Sequence, residues 1–97
     1  MEKRDYYIIL YDYYSPLFSE KQKEYFEDYY FNNLSLAEIS ENIGISRNAI
    51  HKSIKLIEKK LLTYEDKLSL YQKNIKLKSI IDNIDDKKIK EKLEGLL

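Results

Sequence analysis

Apolar side chains recur at three- and four-residue intervals over most of the chain, which is the period of helices. Tyr7, Leu10, Tyr11 and Tyr14 form one stripe within residues 4–14. Ser15-Pro16 ends this first helix, because the residue before proline is pushed out of the helical region. Ser19-Glu20-Lys21-Gln22 has the form of a capping box, in which the serine caps a helix start and the residue three positions on reaches back. The helix it opens should run to Asn32 or Asn33, with Gln22, Phe26 and Tyr29 on one face and Tyr25 and Tyr30 beside them. Ser35 and Glu38 make a second box, followed by Leu36, Ile39 and Ile43 on one face. Gly44 comes where the chain must turn sharply, and only glycine takes a positive φ without steric cost. Ile45 can plug the corner, Ser46 is a good N-cap, and Ala49, Ile50, Ile54 and Ile57 supply the inner face of the next helix. Ser40 is small, which lets the two helices approach. Residues 35–60 therefore predict a helix-turn-helix.

Downstream the pattern becomes more regular. Ile50, Ile54, Ile57, Leu61, Tyr64, Leu68, Tyr71 and Ile75 are spaced 4, 3, 4, 3, 4, 3, 4, a heptad seam with no glycine or proline in it. Read as one helix, it would span roughly 40 Å at about 1.5 Å per residue. A small bundle cannot cover that length alone, so its far end should pack on the N-terminal helices, on a folded-back tail, or on a second copy of the chain. After Ile75 the phase slips to Leu77, Ile80, Ile81 and Ile84; Asp85-Asp86 can then cap a last helix carrying Ile89, Leu93, Leu96 and Leu97. The fold expected is all-α: a small helical bundle in one domain, residues 1–97. Residues 1–34 are supporting helices, 35–60 the helix-turn-helix, and 61–97 a long helix continuation with a C-terminal helix.

Composition agrees with helices: only two Gly and one Pro stand in 97 residues. There is no Cys, which excludes disulfides and thiolate metal sites. No run of 18 apolar residues exists, so no membrane contact is expected and a cytoplasmic location is. Net charge is zero but unevenly placed. Residues 1–46 carry four bases against nine acids, a net of −5, and residues 47–97 carry thirteen bases against eight acids, a net of +5. That asymmetry favours an anionic partner for the second half, or self-complementary packing of the two halves. A near-neutral chain argues against strong non-specific DNA binding.

The face of the second helix opposite its apolar stripe holds the candidate site. Arg47, Asn48, His51, Lys52, Lys55 and Lys59 recur there at spacings of three and four, and all can donate hydrogen bonds. A donor-rich helix braced across a partner helix is what enters a DNA major groove. Arg47, Asn48, His51 and Lys52 would meet base edges, and Lys55 and Lys59 phosphates. The bland alternative is a helical hairpin with a solvated basic face. Eight of the ten tyrosines lie in the first 30 residues. They read as a packed core whose hydroxyls reach the surface rather than as base-stacking platforms. Lys87, Lys88, Lys90 and Lys92 read as a solvated face. No catalytic constellation is found: one His, no Cys, no glycine-rich phosphate loop, and carboxylate pairs Glu65-Asp66 and Asp85-Asp86 that diverge. No enzyme activity, metal or cofactor is expected, and lone His51 amid cations is a surface or base-contacting residue rather than a ligand.

Across Tyr6 to Tyr71 the chain resembles the YlxM family of small bacterial helix-turn-helix proteins, whose core is similar to the DNA-reading last region of sigma factors. The residues carrying the resemblance are Tyr11-Asp12-Tyr13-Tyr14, Leu17 to Gln22, Tyr29-Tyr30, Leu34 to Ile39, Ile45-Ser46-Arg47, Ala49-Ile50-His51, Ile54-Lys55, Glu58-Lys59 and Tyr64 to Leu68. The chain departs from the pattern at Lys52-Ser53, where relatives often carry Asp-Asn, and at Leu56, where a basic residue is frequent. The resemblance implies an all-helical protein that self-associates, with genes beside those of the signal recognition particle. Two functional expectations follow. The first is a DNA-binding regulator acting as a homodimer. The second is an adaptor that keeps the helix-turn-helix shape and contacts signal recognition particle RNA or a protein of that pathway.

Overall fold

The computed structural model describes all 97 residues, Met1 to Leu97. Six α-helices follow one another: α1 Lys3–Tyr14, α2 Glu20–Tyr30, α3 Leu36–Ile43, α4 Arg47–Leu68, α5 Leu70–Asp82 and α6 Lys87–Glu94. A single 3-10 turn, Ser15–Leu17, joins α1 to α2 with Pro16 near its start. No helix is long and apolar enough to cross a membrane.

The core is built on α4. Ile50, Ile54, Ile57 and Leu61 are buried along one stripe, and α1, α2 and α3 each pack against that helix. Burying side chains of this size contributes about 1.5–3 kcal/mol each. All four residues of the α1 stripe, Tyr7, Leu10, Tyr11 and Tyr14, are buried. On α2 the inner face is rotated from the one expected: Tyr25, Phe26 and Tyr30 are buried, while Gln22 and Tyr29 are half-exposed. Phe26 is the reason. Its ring stacks between Tyr11, at 4.2 Å between centroids, and Tyr30, at 4.4 Å, and this aromatic pile sets the rotation of the helix. Both ends of the Ser19 capping box form, Gln22 N donating to Ser19 Oγ at 3.2 Å and Ser19 N to Gln22 Oε1 at 3.0 Å.

The tyrosine hydroxyls do not simply reach the surface. Tyr11 donates to Glu27 at 2.6 Å, Tyr14 to Glu65 at 2.6 Å, and Tyr30 to Glu58. Glu58 and Glu65 are themselves buried, the only charged side chains in the interior. Burial first, and the adjacent carboxylate second, push the Tyr14 phenol up to about 12 and raise those of Tyr11 and Tyr30.

The single long helix expected from the heptad seam is not present. The chain breaks at Ser69, which adopts the left-handed conformation (φ 54°, ψ 32°) between α4 and α5. That conformation costs a non-glycine residue about 1–2 kcal/mol. The cost is offset by Glu65, whose carboxylate accepts from Tyr71 N at 3.1 Å and Gln72 N at 3.0 Å, and by the Tyr14 hydroxyl, which accepts from Leu70 N at 3.1 Å. The first N–H groups of α5 are thus satisfied from the preceding helix and from α1, in place of an N-cap side chain. Beyond the break Tyr71 lodges between Tyr6 and Tyr13, 6.0 Å from each ring, and Asn74 donates to the Tyr13 hydroxyl at 2.7 Å. The seam therefore divides. Its first half is core, whereas Leu68 and Ile75 remain exposed.

Helices α5 and α6 pack on one another around Ile81, and Asp86 caps α6 by accepting from Lys88 N and Ile89 N. Leu96 and Leu97 lie beyond that helix and are exposed. This arm draws the molecule out to 55 × 24 × 24 Å, with a radius of gyration of 17.2 Å, against about 13 Å for a compact chain near this length.

Two outcomes test this account. In Glu65→Leu, the amides of Tyr71 and Gln72 should exchange with solvent markedly faster while those of α3 keep their protection, as followed by hydrogen exchange. The phenols titrate higher in the folded chain than their ordinary value of 10. Their contribution is therefore complete below pH 10 and lost as pH rises through the folded values. The melting temperature should fall between pH 10 and 12, and less steeply in Tyr14→Phe.

Candidate nucleic-acid interface

The candidate face is set by the turn between α3 and α4. Ser35 and Glu38 complete their capping box, Glu38 N donating to Ser35 Oγ at 3.1 Å and Ser35 N to Glu38 Oε1 at 3.0 Å. The hydrogen bonds to Ser35, backbone first and hydroxyl second, hold the Glu38 carboxyl below its ordinary range. Helix α3 ends at Gly44, which is left-handed (φ 84°, ψ 25°) and donates to Ser40 O at 2.8 Å. A methyl group added to Gly44 would meet nothing within 4 Å, so the demand for glycine is one of backbone angle alone. Ser40 does more than permit close approach: its hydroxyl donates to the carbonyl of Ile45 and clips the turn. Ile45 packs against the core as a plug, and Ser46 opens α4 by accepting from Ala49 N at 3.2 Å. Ile39 and Ile50 are fully buried, bringing α3 against α4.

With that brace in place, α4 turns its other side outward. Arg47, Asn48, His51, Lys52, Lys55 and Lys59 are all exposed. At 3.6 residues per turn they share one broad face, away from Ile50, Ile54, Ile57 and Leu61. Five of the six make no side-chain hydrogen bond or ion pair within the protein. Lys55 is the exception, its ammonium 3.3 Å from Glu58 Oε1. Leu56, at 48% exposure, stands at the edge of this face as an apolar group free to make contact.

Glu58 was not singled out among the candidate residues, and it supports the face from beneath. One of its oxygens takes the Tyr30 hydroxyl and the other faces Lys55. A signal was present: Glu58 and Glu65 lie seven residues apart, each directly after a seam position, Ile57 and Tyr64. An acidic residue repeated beside an apolar seam asks for buried donors, and the tyrosine-rich first helices provide them.

The fold adds two cations that the linear charge count had assigned to the acidic half. Arg4, in the first turn of α1, donates from Nη2 to Tyr30 O at 2.9 Å and to Asn33 Oδ1 at 3.2 Å, and its guanidinium lies 4.8 Å above the Tyr30 ring. Asn33 reaches it from a left-handed conformation (φ 54°) just past α2. Lys3 is beside Arg4, and both line a cleft with Lys55.

Residues 1–96 match the family model described as "UPF0122: Putative helix-turn-helix protein, YlxM / p13 like". The chain is 50% identical over 86 residues to a UPF0122 protein of Fusobacterium nucleatum, covering 87% of this chain and 82% of that one. It is 43% identical over a 109-residue alignment to a UPF0122 protein of Clostridium botulinum, covering 99% of this chain and all of that one. To a UPF0122 protein of Ureaplasma parvum it is 40% identical over 94 residues, 97% of this chain and 95% of the relative. The resemblance noted from Tyr6 to Tyr71 thus extends through the C-terminal arm, and the chain belongs to the UPF0122 family of YlxM-like helix-turn-helix proteins.

Proposed function

We propose that the chain is a DNA-binding regulatory protein that reads duplex DNA with the exposed face of α4. One observation carries this reading: six hydrogen-bond donors share the outer face of a helix whose inner face is wholly buried and which α3 braces across the Gly44 turn. Arg47, Asn48, His51 and Lys52, in the first two turns, meet base edges. Arginine can bind guanine, and asparagine adenine, each through two hydrogen bonds worth about 1–3 kcal/mol of discrimination. Lys55 and Lys59, further along, meet phosphates.

A face with so few cations binds weakly on its own, so the active unit is a homodimer. Its interface is the uncovered end of the seam, Leu68 and Ile75, with the exposed apolar side chains beside it. Leu62, Leu68, Leu70 and Ile75 lie exposed around the α4–α5 break, with Ile80 and Ile89 further out along the arm. A two-fold dimer would present its α4 helices to half-sites about 34–36 Å apart.

The near-neutral charge of the whole chain favours a second reading, an adaptor that meets signal recognition particle RNA or a protein of that pathway. Co-purification of such partners, insensitive to DNase, would establish it.

Titration of the full chain against its own promoter DNA at two salt concentrations should give affinity that falls as salt rises. Arg47→Ala should lower affinity for the preferred sequence about 5- to 150-fold, the equivalent of about 1–3 kcal/mol, and level the preference among sequences. Absence of salt-dependent binding to any DNA would remove the reading.

Light scattering tests the dimer separately. Leu68→Lys should yield monomers with an unchanged helical spectrum, because Leu68 is 45% exposed within one chain. Leu61, the other seam leucine, is fully buried, so Leu61→Lys would disrupt the core instead of probing association. A wild-type chain that is monomeric at tens of micromolar would refute the dimer.

A further inference from the structure

A cleft of about 340 Å³ opens between the start of α1, the end of α2 and the middle of α4. Its polar wall comes from all three helices: Lys3 and Arg4, Tyr29, and Lys55. Glu58 also lines it, but both of that residue's oxygens are engaged, one by the Tyr30 hydroxyl and one by Lys55. Three cations stand against one carboxylate, a net of +2 along the lining, so the cleft favours an anion. Arg4 is the best prepared of the three. Its Nη2 is tied to Tyr30 O and Asn33 Oδ1 and its plane is seated over the Tyr30 ring, which fixes the guanidinium and leaves the Nε and Nη1 donors unspent. A held guanidinium loses little freedom on binding, and its remaining donors can give charge-assisted hydrogen bonds to phosphate oxygens.

Lys55 belongs both to this cleft and to the outer face of α4. It lies eight residues from Arg47, about 12 Å along the helix axis. With the first turns of α4 at the base edges, Lys55 and the cations of α1 stand back from the base-reading end, on the side of the sugar-phosphate backbone.

We propose that the Lys3–Arg4–Lys55 cleft is a phosphate site that holds a phosphodiester of duplex DNA at the edge of the groove entered by α4. The assignment to DNA rests on the reading of α4 given above; the anion site does not. Phosphate contacts position a protein on its duplex without carrying sequence information. The cleft would thus set how far α4 enters and at what angle, while Arg47 and Asn48 choose the bases.

The experiment has two arms, both on the full chain. In the first, inorganic phosphate is titrated at constant ionic strength against chloride, followed by heteronuclear NMR. Saturating shifts are expected at the Arg4 side chain and at Tyr29 and Lys55, and they should vanish in Lys3→Gln/Lys55→Gln, whose altered residues are exposed. Shifts that do not saturate, or that survive in the double variant, overturn the site. In the second arm, a 20-bp duplex is titrated over a salt series. Lys3→Gln and Arg4→Gln should each reduce the slope of log K against log salt by about 0.9, with the ranking of sequences unchanged. Arg4→Lys should restore most of the slope, and the melting temperature of each variant separates charge loss from misfolding. Duplex binding with an unaltered slope overturns the cleft alone. Phosphate shifts from a wild-type chain that binds no duplex overturn the assignment to DNA and the reading of α4 together.

Discussion

Helix α4 must serve two surfaces at once, and that constraint organises the molecule. Its Ile50–Leu61 stripe is the common ground for α1, α2 and α3, so it cannot rotate without opening the whole core. The same rigidity fixes the direction of every side chain on the opposite face. A helix held only by its own hydrogen bonds would present Arg47 and Lys52 loosely, since short helices are marginal in water without packing. Here the presentation is inherited from the interior. The Gly44 turn adds the last constraint, because Ser40 and Ile45 lock α3 at the start of α4, where Arg47 and Asn48 are exposed.

The interior is unusual in carrying carboxylates. Breaking a buried charged hydrogen bond costs more than the bond contributes, because the partner left behind cannot reach water. Glu58 and Glu65 are therefore commitments to particular neighbours: Tyr30 and Lys55 for one, Tyr14 and the start of α5 for the other. Each commits a different part of the fold. Glu58 ties α2 to the site face of α4. Glu65 specifies the bend at Ser69 against the straight helix that local sequence would also accept. An apolar residue in place of Glu65 would leave the first amides of α5 without these acceptors, and the lodging of Tyr71 between Tyr6 and Tyr13 depends on the bend they support.

That bend marks the limit of what could be read in the sequence. Local signals were sufficient for the capping boxes at Ser19 and Ser35, the α1 stripe, the glycine turn and the Asp86 cap, because each depends on residues within four positions of one another. The inner stripe of α4 and its exposed donors followed from the same periodicity. The break at Ser69 has no local marker: there is no glycine or proline, and the heptad spacing runs straight through it. It exists because Glu65 and Tyr14, the latter 56 residues away in sequence from Leu70 and donating to Glu65, together supply acceptors there. The rotation of α2 has a similar origin in the stacking of Phe26 between rings of two helices. Periodicity locates faces, whereas contacts between distant segments decide which of two acceptable backbones forms.

Charge shows the same limit and bears on function. Counted along the chain, Lys3 and Arg4 are minor members of an acidic half; in the fold they join Lys55 on the basic side of α4. Of the acids that balance them on paper, Glu20, Glu24 and Asp28 belong to α2, Glu2 and Asp5 flank them at the start of α1 and are exposed, and Glu58 is already hydrogen-bonded. At physiological ionic strength charges interact over about 8 Å, so a polyanion responds to the local cluster and not to the sum over 97 residues. A net charge of zero is thus compatible with a nucleic-acid face, and it carries an advantage for selectivity. A chain that is basic all over would hold any duplex by its backbone, while one basic only around α4 gains appreciable affinity when that helix is seated.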